Sequence, residues 1–326
     1  MIIKSDFKPA WWLPSGHMQT MYPTLMRRVK SPVNQLERLE LPDGDFIDLA
    51  WSTKDLPPDT PLVIFLHGLG GSMDSSYAAG LMRVFNRCGW RSVLMHFRGA
   101  SKEPNRLDRA YHSGDTADLD YFLHCLAERE PNIKKAVVGV SLGGNVLLKW
   151  LGENSQQELI KAAVAISVPF QLRLAADRMT VGFSRLYQSY LLRRLRRVFA
   201  QKKLTYSQET MPPVLQNAHK WRCLWTFDDN VTAPLHGFKN VHAYYRESSS
   251  YNFLAKINTP TLIIHALDDP FMTAEAVPGV DKLSKAIRLE LSKSGGHVGF
   301  ISGSTPGKPV YWLEERVPEY LQQVFS

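Results

Sequence analysis

Six short runs of apolar and β-branched residues constrain the fold of this 326-residue chain more than any other feature. Runs that are apolar at every position are typical of strands buried on both faces of a sheet. Because stretches with helical periodicity separate most of them, the chain predicts a mostly parallel sheet with helices on both faces. The runs are PLVIFL from residue 61, WRSVLMH from 90, KAVVGV from 135, KAAVAISV from 161, TPTLIIHAL from 259 and AIRLELS from 286.

The stretch between the fourth and fifth runs breaks this alternation. It is polar, basic and aromatic, and it contains no run typical of a buried strand. The sequence therefore predicts one α/β core formed by residues 1–170 and 256–326. Residues 171–255 are predicted to form a mainly helical cap inserted into that core.

Two local signals add detail to the predicted core. Asp43-Gly44 stands between two strand-like segments, and this dipeptide favours a tight turn, so an early β-hairpin is expected there. A helical pattern begins at Asp115, whose carboxylate is expected to cap the first turn.

Composition limits the class of protein. Hydrophobic residues make up 44% of the chain and charged residues 21%, which is ordinary for a globular protein with a full core. Three widely spaced cysteines argue against a disulfide framework, and no paired cysteines indicate a zinc site. The first residues lack the apolar core of a signal peptide, and no apolar run approaches the roughly 18 residues that span a bilayer. We therefore expect a soluble cytoplasmic protein.

The net charge of +8 comes almost entirely from residues 184–203, which contain seven basic residues and no acidic one. As a helix, this segment would separate apolar from basic side chains. The apolar side would carry Leu191, Leu192, Leu195, Val198 and Phe199, and the opposite side Arg193, Arg194, Arg196 and Arg197. Two interpretations stay open: a cap helix with a solvated arginine face, or a peripheral contact with anionic lipid head groups. One basic helix does not predict nucleic-acid binding.

Side chains suited to nucleophilic catalysis follow three of the predicted strands. Ligands bind beyond the carboxyl ends of the strands in an open parallel sheet, so groups placed there are expected to converge. Ser141 follows KAVVGV in a Gly-x-Ser-x-Gly turn, whose two glycines leave room for a sharp nucleophile elbow. Asp268 and Asp269 follow the fifth run, and His297 follows the sixth in a glycine-rich loop.

The loop His67-Gly68-Leu69-Gly70-Gly71, after the first run, is predicted to complete this site. Its glycines let the backbone approach a substrate, and the N–H groups of Leu69 and Leu142 are the expected oxyanion donors. The order serine, acid, histidine along the chain is that of α/β-hydrolases. The spacing alone leaves Asp268 and Asp269 both open as the acid.

These motifs resemble the YheT-like branch of the α/β-hydrolase superfamily, and the resemblance covers nearly the whole chain. It rests on GHMQT, FRGASKEPNRLDRAYHSGDTADL, GVSLGGN and the segment from Asp228 through ALDDPF. It implies the α/β-hydrolase fold and a carboxylesterase triad of Ser141, one of the two aspartates and His297. In such hydrolases the acid often stands directly before a proline in a Gly-x-x-Asp-Pro turn. That pattern favours Asp269, but its missing glycine keeps Asp268 open.

The predicted reaction is acyl transfer to water through a serine acyl-enzyme, without a cofactor or a metal. Medium-chain acyl esters and lipid esters are the candidate substrates. The alternatives are a thioesterase, lipase or acyltransferase on the same triad, or a non-catalytic binding protein with the hydrolase fold. Side chains considered for substrate contact are His17, His67, Arg98 and His112. The sequence does not indicate an oligomeric state.

Overall fold

A mostly parallel sheet organises the protein. The computed structural model describes residues 1–53, 55–203, 213–217 and 220–326. The strands within these residues are β1 (Ile2–Lys4), β2 (Gln35–Glu40), β3 (Phe46–Ser52), β4 (Leu62–Leu66), β5 (Arg91–Met95), β6 (Lys135–Val140), β7 (Ala162–Ile166), β8 (Thr261–Ala266), β9 (Ile287–Ser292), β10 (Ile301–Ser302) and β11 (Val310–Tyr311). The first nine form one sheet in the order β1-β9-β8-β7-β6-β4-β5-β3-β2, and β10 pairs with β11 in a separate ribbon.

In this order, every neighbouring pair from β1 to β5 is parallel, whereas the pairs β5–β3 and β3–β2 are antiparallel. Each of the six apolar runs forms one of these strands, so the predicted parallel α/β sheet is confirmed. The hairpin around Asp43-Gly44 is confirmed as well, since β2 and β3 flank that turn. Strand β1, which pairs with β9, was not predicted from the sequence.

Helices cover both faces of the sheet. The helices within the described residues are α1 (Gly16–Met26), α2 (Ser76–Arg87), α3 (Ala117–Arg129), α4 (Leu142–Glu153), α5 (Leu172–Arg178), α6 (Ser184–Lys203), α7 (Pro213–Gln216), α8 (Leu224–Phe227), α9 (Ala233–Leu235), α10 (Val241–Ser248) and α11 (Leu313–Phe325). α3 and α4 pack on one face against Leu62 and Ile64, and α2 and α11 pack on the other against Val63 and Phe65. The hydrophobic core therefore consists of two layers, one on each face of the sheet.

The helices α5 to α10 lie between β7 and β8, in the stretch of residues 171–255 that we call the cap region. Two small apolar clusters hold its helices together, one around Leu192 and Phe227 and the other around Leu172 and Tyr245. A single π-helical turn, Asp228–Thr232, joins α8 to α9. None of the helices in the described ranges has both the length and the apolar character needed to cross a bilayer.

The predicted cap of α3 is wrong. Thr116 occupies the N-cap position and its side chain makes no capping hydrogen bond. The Asp115 carboxylate instead accepts a hydrogen bond from Arg109 at 2.5 Å. Asp115 is buried, and an ion pair compensates a buried carboxylate better than a helix amide does.

Candidate active site

Ser141 lies between β6 and α4 in a strained backbone conformation. Its φ of 52° and ψ of −117° fall in a region that residues with a side chain rarely adopt, and such strain collects at functional turns. The flanking glycines make the turn sterically feasible. A Cβ atom on Gly139 would lie 2.5 Å from the Gly143 carbonyl oxygen, and one on Gly143 would lie 2.5 Å from the Leu66 carbonyl oxygen. The serine hydroxyl is therefore presented at the end of the strand.

Hydrogen bonds join Ser141, His297 and Asp269 in a line. His297 Nε2 lies 3.0 Å from Ser141 Oγ, and His297 Nδ1 lies 2.8 Å from Asp269 Oδ2. The second oxygen of Asp269 accepts the Phe271 N–H at 2.8 Å, and the Phe271 ring stacks on the imidazole with centroids 3.9 Å apart. This geometry allows the imidazole to take the serine proton while the carboxylate stabilises the resulting cation.

Asp268, the other candidate acid, contacts the backbone of the histidine loop and not the imidazole. Its Oδ1 accepts the Gly296 N–H at 2.8 Å. Burial raises the pKa of this carboxyl group, and the neighbouring Asp269 carboxylate acts in the same direction. Of the two aspartates, Asp269 is therefore the one placed to orient His297.

Three consecutive amides around His297 donate to side chains from three other parts of the fold. The N–H groups of residues 296, 297 and 298 bind Asp268 Oδ1, Thr20 Oγ1 and Ser167 Oγ at 2.8, 2.8 and 3.0 Å. These acceptors follow β8, lie in α1 and follow β7, respectively. We call this set of three hydrogen bonds the amide clamp. It fixes the backbone of the histidine loop from three directions.

The GHMQT segment, whose role the sequence left undefined, forms the start of α1 and packs against that loop. Gln19 is fully buried: its Oε1 accepts the Ile301 N–H at 2.7 Å, and its Nε2 donates to the carbonyls of Leu13 and Ile301. Gly16 and Gly296 meet so closely that a Cβ atom on Gly296 would lie 2.3 Å from the Gly16 carbonyl oxygen. The segment therefore supports the loop that carries His297.

The predicted oxyanion donors, Leu69 and Leu142, both border the cavity above Ser141. Leu142 is the first residue of α4, where helix amides have no partner within the helix. Within the described part of the chain, the Leu69 amide has no hydrogen-bond partner either. The other three amides of the loop 68–71 donate to Tyr77 Oη, Tyr111 Oη and Gly68 O. Of the four amides in this loop, the Leu69 N–H is thus the one without a partner among the described residues.

The predicted substrate contact is wrong for His67 and Arg98, because both side chains are buried behind the cavity wall. The His67 imidazole bonds to the Gly68 carbonyl at 2.7 Å and to the Phe97 N–H at 3.2 Å, and burial lowers its pKa to about 3. Arg98 forms ion pairs with three carboxylates, those of Asp43, Asp45 and Asp118. Both residues support the loops that surround the site.

His17 and His112 lie nearer to the cavity, in different roles. His17 Nδ1 bonds to the Tyr187 hydroxyl at 3.0 Å, which links α1 to α6, and His17 does not line the cavity. His112 lines the cavity, and its Nδ1 accepts the Gly114 N–H at 3.1 Å. Burial and the neighbouring His236 lower the pKa of His112 to about 2, so its ring is neutral with one nitrogen free to donate.

A cavity of about 730 Å³ lies between the core and the cap region and contains Ser141 and His297 in its wall. Several of the side chains that the cap region contributes are apolar. They are Leu172, Met179, Phe183, Leu186, Leu191 and Leu195. The volume suits a ligand of small-molecule size, and the apolar wall suits a hydrocarbon chain.

Fold and site together define a class of protein: a parallel sheet with a serine elbow, followed along the chain by an acid and a histidine at later strand ends. A family model described as alpha/beta hydrolase fold matches residues 61–304. The chain is also 43% identical to "Putative esterase YheT" of Escherichia coli (strain K12), over 97% of this chain and 93% of that protein. The chain therefore belongs to the α/β-hydrolase family and, within it, to the branch that contains YheT.

Two more distant matches agree with this assignment. "Phospholipase ABHD3" of Homo sapiens is 26% identical over 95% of this chain and 77% of that protein. A soluble variant of monoglyceride lipase from Saccharomyces cerevisiae, solved in complex with a substrate analog, superposes with a TM-score of 0.59. It covers 92% of this chain and 98% of its own, and at 16% identity this likeness concerns the fold.

Proposed function

We propose that this protein is a serine esterase that cleaves carboxylic esters through an acyl-enzyme. The observation that carries the proposal is the hydrogen-bonded line from Ser141 through His297 to Asp269 in the wall of a cavity. Two relatives carry the names "Putative esterase YheT" and "Phospholipase ABHD3", and these names favour an ester bond as the bond that this protein cleaves.

The mechanism follows from the contacts of the site. His297 Nε2 removes the proton from Ser141 Oγ, and the oxygen attacks the ester carbonyl carbon. The Leu69 and Leu142 amides stabilise the negative charge on the carbonyl oxygen, while Asp269 stabilises the imidazolium. The intermediate then collapses, the carbon–oxygen bond to the alcohol breaks, and the imidazolium protonates the leaving alcohol. Water, deprotonated by His297, attacks the acyl-enzyme in the same way and releases the acid.

We also propose that residues 171–255 act as a cap that selects the acyl group, over a core of residues 1–170 and 256–326. The apolar side chains that the cap region turns into the cavity favour an acyl chain of medium length or longer. A thioester presents the same carbonyl to the serine, so acyl-thioesters belong in the same substrate panel.

Labelling with a fluorophosphonate probe tests the proposed nucleophile. Such probes react with a serine that a histidine activates, so the wild-type protein should label and Ser141→Ala should not. Ser189→Ala is the matched control, because that serine is exposed on α6 and donates to the Arg185 carbonyl at 2.9 Å. Turnover of 4-nitrophenyl esters and acyl-thioesters of increasing chain length then identifies the preferred acyl group. Wild-type protein that fails to label beside an active serine esterase would refute the proposal.

A further inference from the structure

Arg194 of α6 lines the cavity, although the helical pattern placed it with three other arginines on the side opposite the apolar residues. α6 buries Leu192, Leu195 and Phe199 as predicted, and Arg193 and Arg197 are exposed. Arg194, by contrast, is partly buried and lines the cavity. The four arginines therefore do not form one uniform surface.

The side chain of Arg194 passes directly over Gly70, the residue next to the Leu69 amide. A Cβ atom on Gly70 would lie 2.9 to 3.0 Å from Arg194 Cβ, Cδ and Nε. Its guanidinium charge is close enough to reinforce the effect of burial in lowering the pKa of His67 beneath the same loop. Arg194 thus places a positive charge beside the predicted oxyanion donors.

The Arg194 guanidinium has no carboxylate partner among the residues that the structure describes. Its one described hydrogen bond runs from Nη1 to the Tyr190 hydroxyl at 2.6 Å, although a guanidinium carries five N–H donors. Arg27, the other arginine in the cavity lining, differs in this respect because it forms an ion pair with Glu314. With respect to the described residues, Arg194 therefore has guanidinium donors available for a ligand.

A ligand that fills the cavity displaces water from Arg194. A guanidinium that loses water and gains no acceptor is disfavoured. Asp74 and Asp228 also line the cavity, but neither has a described ion pair with Arg194, so a neutral ester would leave this guanidinium without a paired anion. A ligand with its own carboxylate or phosphate would satisfy it, and the planar fork of arginine suits the paired oxygens of both groups.

We propose that Arg194 forms an anion subsite beside the loop 68–71, and that the preferred substrates are esters with a carboxylate or phosphate near the scissile bond. This inference rests on the proposed esterase function and narrows its substrate class.

Two matched substrate pairs test the subsite. The first compares a 1-acylglycerol 3-phosphate with the 1-monoacylglycerol of the same chain, which differ in a phosphate on the alcohol side. The second compares 4-nitrophenyl hydrogen adipate with 4-nitrophenyl hexanoate, which differ in a carboxylate on the acyl side. The measured quantity is the ratio of kcat/KM for the anionic ester to kcat/KM for the neutral one, at fixed ionic strength and below micelle formation.

We expect Arg194→Gln to lower this ratio at least about tenfold for one or both pairs, the effect typical of a lost charge-assisted hydrogen bond. Arg194→Lys should lower the ratio less than Arg194→Gln does, because lysine keeps the positive charge but lacks the planar guanidinium. Arg193→Gln, which removes the same charge from an exposed position of the same helix, should keep the wild-type ratio. A change in the first pair assigns the subsite to the alcohol side, and one in the second assigns it to the acyl side.

Two outcomes would overturn the anion subsite. One is an unchanged ratio in Arg194→Gln, which includes an equal loss for both members of each pair, and the other is the same change of ratio in Arg193→Gln. Calorimetry can measure the affinity of the acylglycerol phosphate for Ser141→Ala and for the double variant Ser141→Ala/Arg194→Gln. This comparison tests anion binding by Arg194 independently of ester hydrolysis. If the wild type hydrolyses no ester and binding still depends on Arg194, the esterase proposal fails and the subsite stands.

Discussion

The cavity has two walls that are built in different ways. On the core wall, Ser141 is set by a strained turn at a strand end, and His297 is fixed by the amide clamp. On the cap wall, many of the side chains project from the 20-residue helix α6, and two small apolar clusters hold this helix and the shorter cap helices together. On the core wall, several independent contacts thus define the positions of the proposed nucleophile and base. We expect the cap wall, which is proposed to contact the substrate, to tolerate substitution better than the core wall.

Each wall contains a buried carboxyl group, and the two groups differ in their hydrogen-bond partners. Asp269 on the core wall faces the His297 imidazole, which becomes a cation during the proposed reaction. Asp228 on the cap wall lies in the π-helical turn and has no cation as a described partner. It accepts hydrogen bonds from the Thr232 and Tyr245 hydroxyls at 2.7 and 2.8 Å. Burial accordingly raises the pKa of Asp228 to about 6.

The largest expected effect tests the core wall. Asp269→Asn should lower kcat/KM about 10⁴-fold, because the imidazole loses its orientation and its counter-charge. Asp268→Asn is the matched variant, and it should cost about tenfold or less, since the amide oxygen can still accept the Gly296 N–H. Ester hydrolysis by the two purified variants is the measurement. A larger loss in Asp268→Asn would mean that Asp268 is the triad acid.

The next prediction concerns the cap wall and the pH dependence of stability. The folded-state pKa of Asp228 is raised from 3.8 to about 6, so the folded protein retains this proton more readily than the unfolded chain. Ionisation therefore costs the wild type about 3 kcal/mol of unfolding free energy as pH rises from about 4 to above 6. Asp228→Asn lacks this cost.

Denaturant unfolding of both proteins between pH 4 and 7 measures the difference. The unfolding free energy of Asp228→Asn relative to the wild type should increase by about 3 kcal/mol across that interval. All other groups are shared, so their contributions cancel. If the difference in unfolding free energy between the two proteins does not change with pH, Asp228 ionises as easily in the folded protein as in the unfolded chain.

The smallest expected effect tests how far the amide clamp defines the core wall. Thr20→Val removes the acceptor of the His297 N–H and leaves a part-buried amide without a partner. We expect kcat to fall about tenfold with little change in KM, because the imidazole shifts relative to Ser141. Thr20→Ser keeps the hydroxyl and should restore kcat. Equal losses in both variants would indicate a packing defect in α1 and no positioning role for the hydroxyl.

Much of the core wall could be predicted from sequence because its signals are local. The elbow requires glycines on both sides of Ser141, and a proline directly after Asp269 favours the acid that contacts His297. The amide clamp has no local signal. Thr20 and His297 are 277 residues apart, and no periodicity indicates which hydroxyl meets which amide. The position of Arg194 was not predicted for a related reason: helical periodicity separates apolar from polar faces but does not distinguish a face exposed to bulk solvent from one that lines a cavity.

The amide clamp also determines when the site can assemble during synthesis. The 277 residues between Thr20 and His297 take about 15 to 60 s to translate. Over that time, the elbow of Ser141 and the loop 68–71 can begin to fold while His297, the proposed general base, has not yet been synthesised. The nascent chain would therefore carry an inactive serine until β9 and the loop after it join the sheet. We therefore expect the proposed reaction to begin only after a segment near the C-terminal end of the chain has packed against one near its N-terminal end.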